Sequence, residues 1–325
     1  MIIVQTPFRM SFLGGGTDIP QYYEKYGGSV LSTTFNKYCY HTIKWFPPFF
    51  PYKNKLTYSK IEEFNLPEEV CHPAVREALK LLKMQNLHIT YDADLPAKSG
   101  LGTSSSFAVG LLNGLHSLKG EFVDKMTLAK EAIHLERELC QEAGGIQDQL
   151  AVSFGGLNKY TFDSTGIDVK PLIISKERKQ NLSSNLMLFF TGFTRFSSEI
   201  ITEQIKNTEK KLQELHEMVS LVNEGEKILT GNGNLNDFGY LLDYTWKLKC
   251  SLSNNISSDG IDAIYQRAKK AGAIGGKLLG AGGGGFMLLF VEVDKQEQVK
   301  QELSEFLYIP FEFETSGTKV IYYKP

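Results

Sequence analysis

Apolar and polar positions recur along this chain at two periods, and the period predicts most of its elements. Ile2 to Val4 reads as a short strand, Thr6 to Asp18 as an irregular segment, and Tyr38–Trp45 and Lys55–Ser59 as β-rich stretches. Pro73 to Met84 predicts a helix opened by proline, with Val75, Ala78, Leu81 and Leu82 forming its apolar side. Leu87, Ile89 and Tyr91 alternate with polar residues and predict a strand, after which Phe107, Leu111, Leu112, Leu115 and Leu118 recur at helical spacing. A helix follows over Lys125–Cys140, a turn over Gly144–Gln149, and strands over Leu157–Phe162 and Val169–Ile174.

The polar stretch Ser175–Ser184 reads as a connection, and the apolar run Leu186–Phe190 as the strand that opens a second domain. The expected division is 1–180 and 181–325. Ile201, Ile205, Thr208, Leu212, Leu215, Val219 and Val222 keep a 4,3 spacing on what reads as one long charged helix. Such a helix packs on its own domain, with a coiled-coil seam as the alternative. A helix over Ile261–Ala271, a strand over Phe286–Val293, and a last helix and strand complete the pattern.

Composition narrows the function classes. A length of 325 residues suits two domains of ordinary size. With 42% hydrophobic and 22% charged residues and a formal net charge of -2, no global basic excess points to nucleic acid, so any anion site is local. Cys39, Cys71, Cys140 and Cys250 lie far apart without metal or disulfide spacing, as expected of reduced thiols in a cytoplasmic protein. No export leader and no apolar run of membrane-spanning length are apparent.

Three glycine-rich segments carry the candidate chemistry. In Pro96-Ala97-Lys98-Ser99-Gly100-Leu101-Gly102-Thr103-Ser104-Ser105-Ser106, a glycine turn and four hydroxyls run into a predicted helix. Glycines let backbone approach an anion, and free N–H groups at a helix start donate to it. The others are Gly14-Gly15-Gly16-Thr17-Asp18 and Gly275 to Gly285. No glycine-lysine pair is followed by serine or threonine, and the first loop lacks the third glycine of a dinucleotide fingerprint, which excludes the common nucleotide motifs.

Together these segments resemble the three motifs of the GHMP kinases, which phosphorylate small molecules with ATP. Pro7-Phe8-Arg9 with Gly14 to Asp18 is similar to the first motif, Pro96 to Ser106 to the second, and Lys277 to Gly285 to the third. The resemblance implies an α+β fold of two domains, an N-terminal ribosomal S5 domain 2-like domain and a C-terminal ferredoxin-like domain, meeting at a cleft. Within the family, Gly14 to Pro20, followed by Tyr22-Tyr23 and Gly27-Gly28, resembles the D-glycero-D-manno-heptose 7-phosphate kinases. The implied reaction is phosphorylation of the anomeric hydroxyl of that sugar phosphate, with ATP and Mg²⁺ as cofactors. Alternatives are a fucokinase or galactokinase-like sugar 1-kinase, and a non-catalytic regulator that binds ATP or sugar. A homodimer is left open.

The same resemblance implies roles. Lys98, Ser99, Gly100, Leu101, Gly102, Thr103, Ser104 and Ser105 would wrap the ATP phosphates, with Lys98 standing where many members have glycine. Ser104 and Glu136 would hold Mg²⁺, Glu138 and Glu142 being close competitors. Asp148 would act on the acceptor hydroxyl beside Arg9, and Gly15, Gly16, Thr17 and Asp18 would meet the sugar. Gly280, Ala281, Gly282, Gly283 and Gly284 would lie beneath the other motifs, and Arg195 could meet an anion. A substrate phosphate needs a basic pocket, for which Lys37, Lys44, Lys159 and Arg195 are available. Read locally, Ser104 and Ser105 are helix caps, Glu136 a solvated charge, Asp148 a cap and Arg9 part of a surface salt bridge. No histidine joins a motif.

Overall fold

The computed structural model describes residues 1–193, 197–253 and 255–324. In chain order its elements are β1 (Ile2–Leu13), α1 (Pro20–Tyr26), β2 (Gly28–Trp45), β3 (Asn54–Thr57), β4 (Ile61–Phe64), α2 (Pro73–Leu82), β5 (Leu87–Ala93), α3 (Thr103–Lys119), α4 (Lys125–Ile133), α5 (Gln147–Phe154), β6 (Asn158–Asp163), β7 (Gly166–Pro171) and α6 (Lys176–Ser184). The second half adds β8 (Leu186–Phe190), α7 (Ser197–Asn207), α8 (Leu212–Thr230), α9 (Asn236–Cys250), α10 (Asp259–Lys270), β9 (Gly275–Leu278), β10 (Phe286–Phe290), α11 (Gln296–Glu302), β11 (Leu307–Ile309), β12 (Phe313–Glu314) and β13 (Lys319–Tyr323).

Among the described residues these strands make a nine-stranded sheet running β13-β1-β2-β5-β3-β4, with β6, β7 and β12 off that path, and a four-stranded sheet β11-β8-β10-β9. β1 is a long strand, not the short one expected. Its residues from Thr6 to Leu13 are all buried, so alternation is lost and periodicity could not mark it. Pro7 is accommodated where the register with β2 shifts, between Pro7 and Phe8.

The last strands return to the first half. β13 pairs with β1 and β12 with β2, so both belong to the large sheet although they lie beyond residue 181. The expected division after 180 falls within α6, a helix capped by Ser175 where the sequence suggested a connection. One apolar core joins the sheets: Phe8, Met10 and Phe12 of β1 share it with Leu188, Phe238, Phe286 and Phe290. A second core lies under α2 and α3, and a third under α9 and α10.

Two helices depart from their predicted faces. α2 buries Ala74, Val75, Ala78 and Leu79 while Leu81 is exposed. The expected long helix over 201–222 is two helices separated by a 3₁₀ turn at Thr208–Lys210. The buried positions of α8 are Leu215, Met218, Leu221, Val222, Gly225 and Leu229, a stripe facing the protein's own core and not a continuous seam.

Candidate active site

Arg9 leaves β1 at the point where that strand meets the glycine loop before α3: its backbone N–H donates to Leu101 O at 3.1 Å. Its buried guanidinium grips Asp148 with two parallel bonds, Nε to Oδ1 and Nη2 to Oδ2, each 2.7 Å. Nη1 donates to Gly100 O at 2.6 Å. Three segments far apart in sequence are thereby fixed by one side chain. The geometry is the planar fork that makes arginine specific for carboxylates. Neither partner is on the surface, as the local reading of Arg9 had it.

Asp148 stands in the first turn of α5, beyond the Gly144-Gly145 turn. A Cβ on Gly145 would lie 1.9 Å from Asp18 Oδ2, so only glycine lets this turn approach Asp18. The Asp18 carboxylate accepts from the Gly16 N–H at 3.0 Å and the Gln147 N–H at 3.2 Å, tying the first glycine loop to the start of α5. Burial, and then the neighbouring Asp148 charge, raise the Asp18 pKa above the ordinary carboxylate value.

The second and third motifs lie back to back. Gly100 and Gly280 both have positive φ, 78° and 76°, and a Cβ on Gly280 would sit 2.5 Å from Gly100 Cα. A Cβ on Gly285 would sit 2.2 Å from Ser99 O. Side chains at these positions would push the second-motif loop and the third motif apart. Lys98 is exposed with φ 59°, and Ser99 is buried with its hydroxyl unpartnered.

Ser104 and Ser105 do not cap α3; its N-cap is Gly102, which makes no side-chain capping bond. Their hydroxyls reach across to Glu136, Ser104 Oγ donating to Oε1 and Ser105 Oγ to Oε2, both at 2.7 Å, and Gln149 Nε2 also donates to Oε2. Glu136 is buried, not solvated. Burial, followed by the Glu136 charge, raises the pKa of nearby Glu142.

A cavity opens between the first motif, the start of α5 and the third motif; neither Glu136 nor any residue from Lys98 to Ser105 lines it. Arg9, Asp148, Asp18, Gly15 and Gly16 line it, and so do Gly280 and Ala281, which were expected beneath the other motifs. Thr17 does not. It is fully buried, its hydroxyl donating to Gly14 O or Ser29 O and accepting from the Ser29 N–H, so it braces the loop from behind. Gly282, Gly283 and Gly284 are also outside the lining. Arg195 and Thr194 lie outside the described residues.

The two chain halves match the GHMP kinases N terminal domain over residues 65–156 and the GHMP kinases C terminal domain over 226–309. A D-glycero-alpha-D-manno-heptose 7-phosphate kinase of Campylobacter jejuni is 31% identical across 98% of both chains. This chain belongs to the GHMP kinases. It is an ATP-dependent small-molecule kinase of the sugar-kinase type. A bifunctional fucokinase/GDP-fucose pyrophosphorylase of Arabidopsis thaliana is 26% identical over 93% of this chain and 31% of its own length. Among solved structures, a D-glycero-D-manno-heptose 1-phosphate kinase from Bacteroides thetaiotaomicron shares the fold over the full length of both chains, with a TM-score of 0.82 at 22% identity.

The cavity is also lined by two basic residues outside the motifs, Arg137 and Lys249, and by Lys277, the residue that opens the third motif. Arg137 donates to Gly145 O at 2.9 Å and shapes the turn before Asp148. Lys277 is buried and donates to Phe12 O at 2.9 Å; burial, then Lys249 and Arg9, depress its pKa well below the ordinary lysine value. Lys249 is buried too, donates to Gly280 O, and is depressed to about 8, chiefly by burial. The lysines suggested for a basic pocket do not line the cavity; Lys159 is instead bound to Asn223 and Glu226. Lys249, two positions after Lys247 on α9, carries no local sign of a site. Ser11 Oγ and Gln147 Oε1 add buried, unpartnered polar atoms to the lining.

Proposed function

We propose that this kinase transfers the γ-phosphoryl of ATP to the anomeric hydroxyl of D-glycero-D-manno-heptose 7-phosphate, giving the 1,7-bisphosphate. The observation that carries the reading is the Arg9–Asp148 pair set in a cavity rich in basic side chains. Four of them, Arg9, Arg137, Lys249 and Lys277, line it against the carboxylates Asp18 and Asp148, which suits an acceptor that is already anionic. The similarity to a heptose 7-phosphate kinase over nearly the whole chain supports the same sugar.

Phosphoryl transfer requires alignment and charge neutralisation more than covalent work. The backbone from Lys98 to Ser105 cradles the ATP phosphates at the positive end of α3. Asp148 orients the acceptor hydroxyl and takes its proton as the new bond forms, while Arg9 holds the carboxylate in place. Asp18, Gly15 and Gly16 face the sugar, whose hydroxyls supply the partners that Ser11 Oγ and Gln147 Oε1 lack within the protein.

Ser104 and Glu136 fit Mg²⁺. Glu136 is a buried carboxylate whose contacts are neutral donors, and one carboxylate with a hydroxyl and nucleotide phosphates is an ordinary magnesium donor set. When bound, the ion neutralises charge on the ATP phosphates. Reliance on ATP and a sugar phosphate also supports a cytoplasmic location.

An ADP-release assay across heptose 7-phosphate, mannose, galactose and fucose, with Mg²⁺ present, tests the proposal. Turnover is expected on heptose 7-phosphate above the others. Preference for an unphosphorylated sugar would discard the heptose assignment and retain the kinase.

A further inference from the structure

Lys249 sits at the end of α9 with its side chain in the cavity, and nothing in the motifs accounts for it. Only 4% of the residue is exposed. Its ammonium group donates to Gly280 O, and among the described residues no carboxylate lies within ion-pair distance of it. An ammonium has three donors and uses one here. Burying such a charge with an incomplete set of partners is costly unless an anion completes it.

The position tells which anion. Gly280 packs directly on Gly100, the glycine whose carbonyl is held by Arg9 while Arg9 grips Asp148. Lys249 therefore stands where the phosphate loop, the third motif and the Arg9–Asp148 pair converge. The charged and titratable groups around it are Arg9 from β1, Asp18 from the following loop, Asp148 from α5, Lys277 from β9 and its chain neighbour Cys250. Cys250 remains a neutral thiol, its pKa raised to about 12 mainly by burial. Asp148 already has both oxygens occupied by Arg9.

We propose that Lys249 is a catalytic residue whose free N–H groups bind the phosphoryl group in transit between ATP and the acceptor. In that step the bond from the γ-phosphorus to the bridging oxygen breaks, and its electron pair leaves on ADP. The acceptor oxygen forms the new bond and its proton passes to Asp148. Lys249 neither gains nor loses a covalent bond; its ammonium offsets charge on the equatorial oxygens, which are presented to it only in this geometry. The proposal rests on phosphoryl transfer in this cavity and not on which sugar is the acceptor.

The test measures binding of ADP alone, and of ADP with aluminium fluoride as a mimic of the phosphoryl in transit, to the full-length protein and its Lys249→Met and Lys249→Arg variants with Mg²⁺ present. The expected result is that Lys249→Met binds ADP like the parent and binds the mimic at least ~10-fold more weakly, a loss of about 1.4 kcal/mol or more. Lys249→Arg should recover much of the mimic affinity. In the parent that affinity should fall as pH rises through about 8, with no such fall in Lys249→Arg. Equal loss of ADP and mimic, no loss of either, or a parent that does not prefer the mimic would each overturn the proposal. So would a Lys249→Met variant whose only defect is a raised KM for the phosphorylated sugar, which would assign Lys249 to the substrate's own phosphate. Thermal unfolding of both variants separates these results from loss of fold. Absence of turnover on heptose 7-phosphate would refute the sugar assignment and leave the mimic-binding result intact.

Discussion

Arg9 and Asp148, 139 positions apart, are joined by two parallel bonds of 2.7 Å, and the same guanidinium holds Gly100 O. One side chain thus sets the distance between the Asp148 carboxylate and the glycine loop before α3. Asp148→Asn preserves the shape and should lower kcat roughly 10²- to 10⁴-fold, the usual worth of a positioned acid–base group. Arg9→Lys keeps the charge but not the fork, and should cost roughly 10²-fold through misplacement. Arg9→Met removes the partner of a carboxylate that is still partly hydrated, so about 3 kcal/mol of stability should also be lost. Kinetics with thermal unfolding separate the three; a near-parental rate for Asp148→Asn would remove it from the mechanism.

Glu136 receives hydrogen bonds from Ser104, Ser105 and Gln149 and so connects the start of α3 to the magnesium question. Glu136→Gln retains its size and removes the charge. The Mg²⁺ concentration for half-maximal activity should rise about 10- to 100-fold. A magnesium titration that overlays the parental curve would show that Glu136 is purely structural.

Thr17 was expected at the sugar and is found behind the loop, bonded to Gly14, Ser29 and nothing in the cavity. Thr17→Val leaves a buried carbonyl and N–H without their partner and should destabilise the protein by about 1–3 kcal/mol, read by chemical denaturation. The KM for sugar should hold in the folded fraction. A raised KM at unchanged stability would return Thr17 to the substrate.

His116 lies between two carboxylates, Nδ1 2.9 Å from Glu121 and Nε2 2.8 Å from Glu131, and ties α3 to α4. The Glu131 bond leads in raising its pKa above the ordinary 6.5, against an opposing effect of burial. A histidine charged more readily when folded stabilises fully below its unfolded pKa and loses that contribution as pH rises through the folded value. The stability difference between the parent and His116→Gln should therefore be largest in mild acid and shrink towards alkaline pH. A difference that is flat with pH would mean that the imidazole is neutral in both states.

Much of the site was legible because glycine leaves a local signature. Gly100, Gly102 and Gly280 have positive φ, and the close approach of Gly280 to Gly100 needs two residues without Cβ atoms, so the chemistry of the loops is written where the loops are. The strand from Leu87 to Tyr91 was readable because Leu87 and Ile89 are buried and His88 and Thr90 are less so, whereas the helix from Phe107 to Leu118 is buried on nearly all sides and was readable only from the spacing of its large apolar residues. β1 was misread because from Thr6 onwards both of its faces are buried, which erases the period.

The three glycine motifs and the placement of Asp148 next to a turn are local features of the sequence, and their resemblance to the GHMP kinase motifs implies a phosphate-handling enzyme. Tertiary structure alone decided that β12 and β13 return to the first sheet, that Thr17 turns away from the cavity, and that Arg137, Lys249 and Lys277 line it while Lys159 does not. Backbone conformation is constrained by a residue and its immediate neighbours, whereas burial of a charge is settled by which distant segments pack around it. Lys247 and Lys249 stand two positions apart on one helix and look alike in sequence, yet Lys247 is exposed and pairs with Asp243 while Lys249 ends buried beside Gly280 in the cavity.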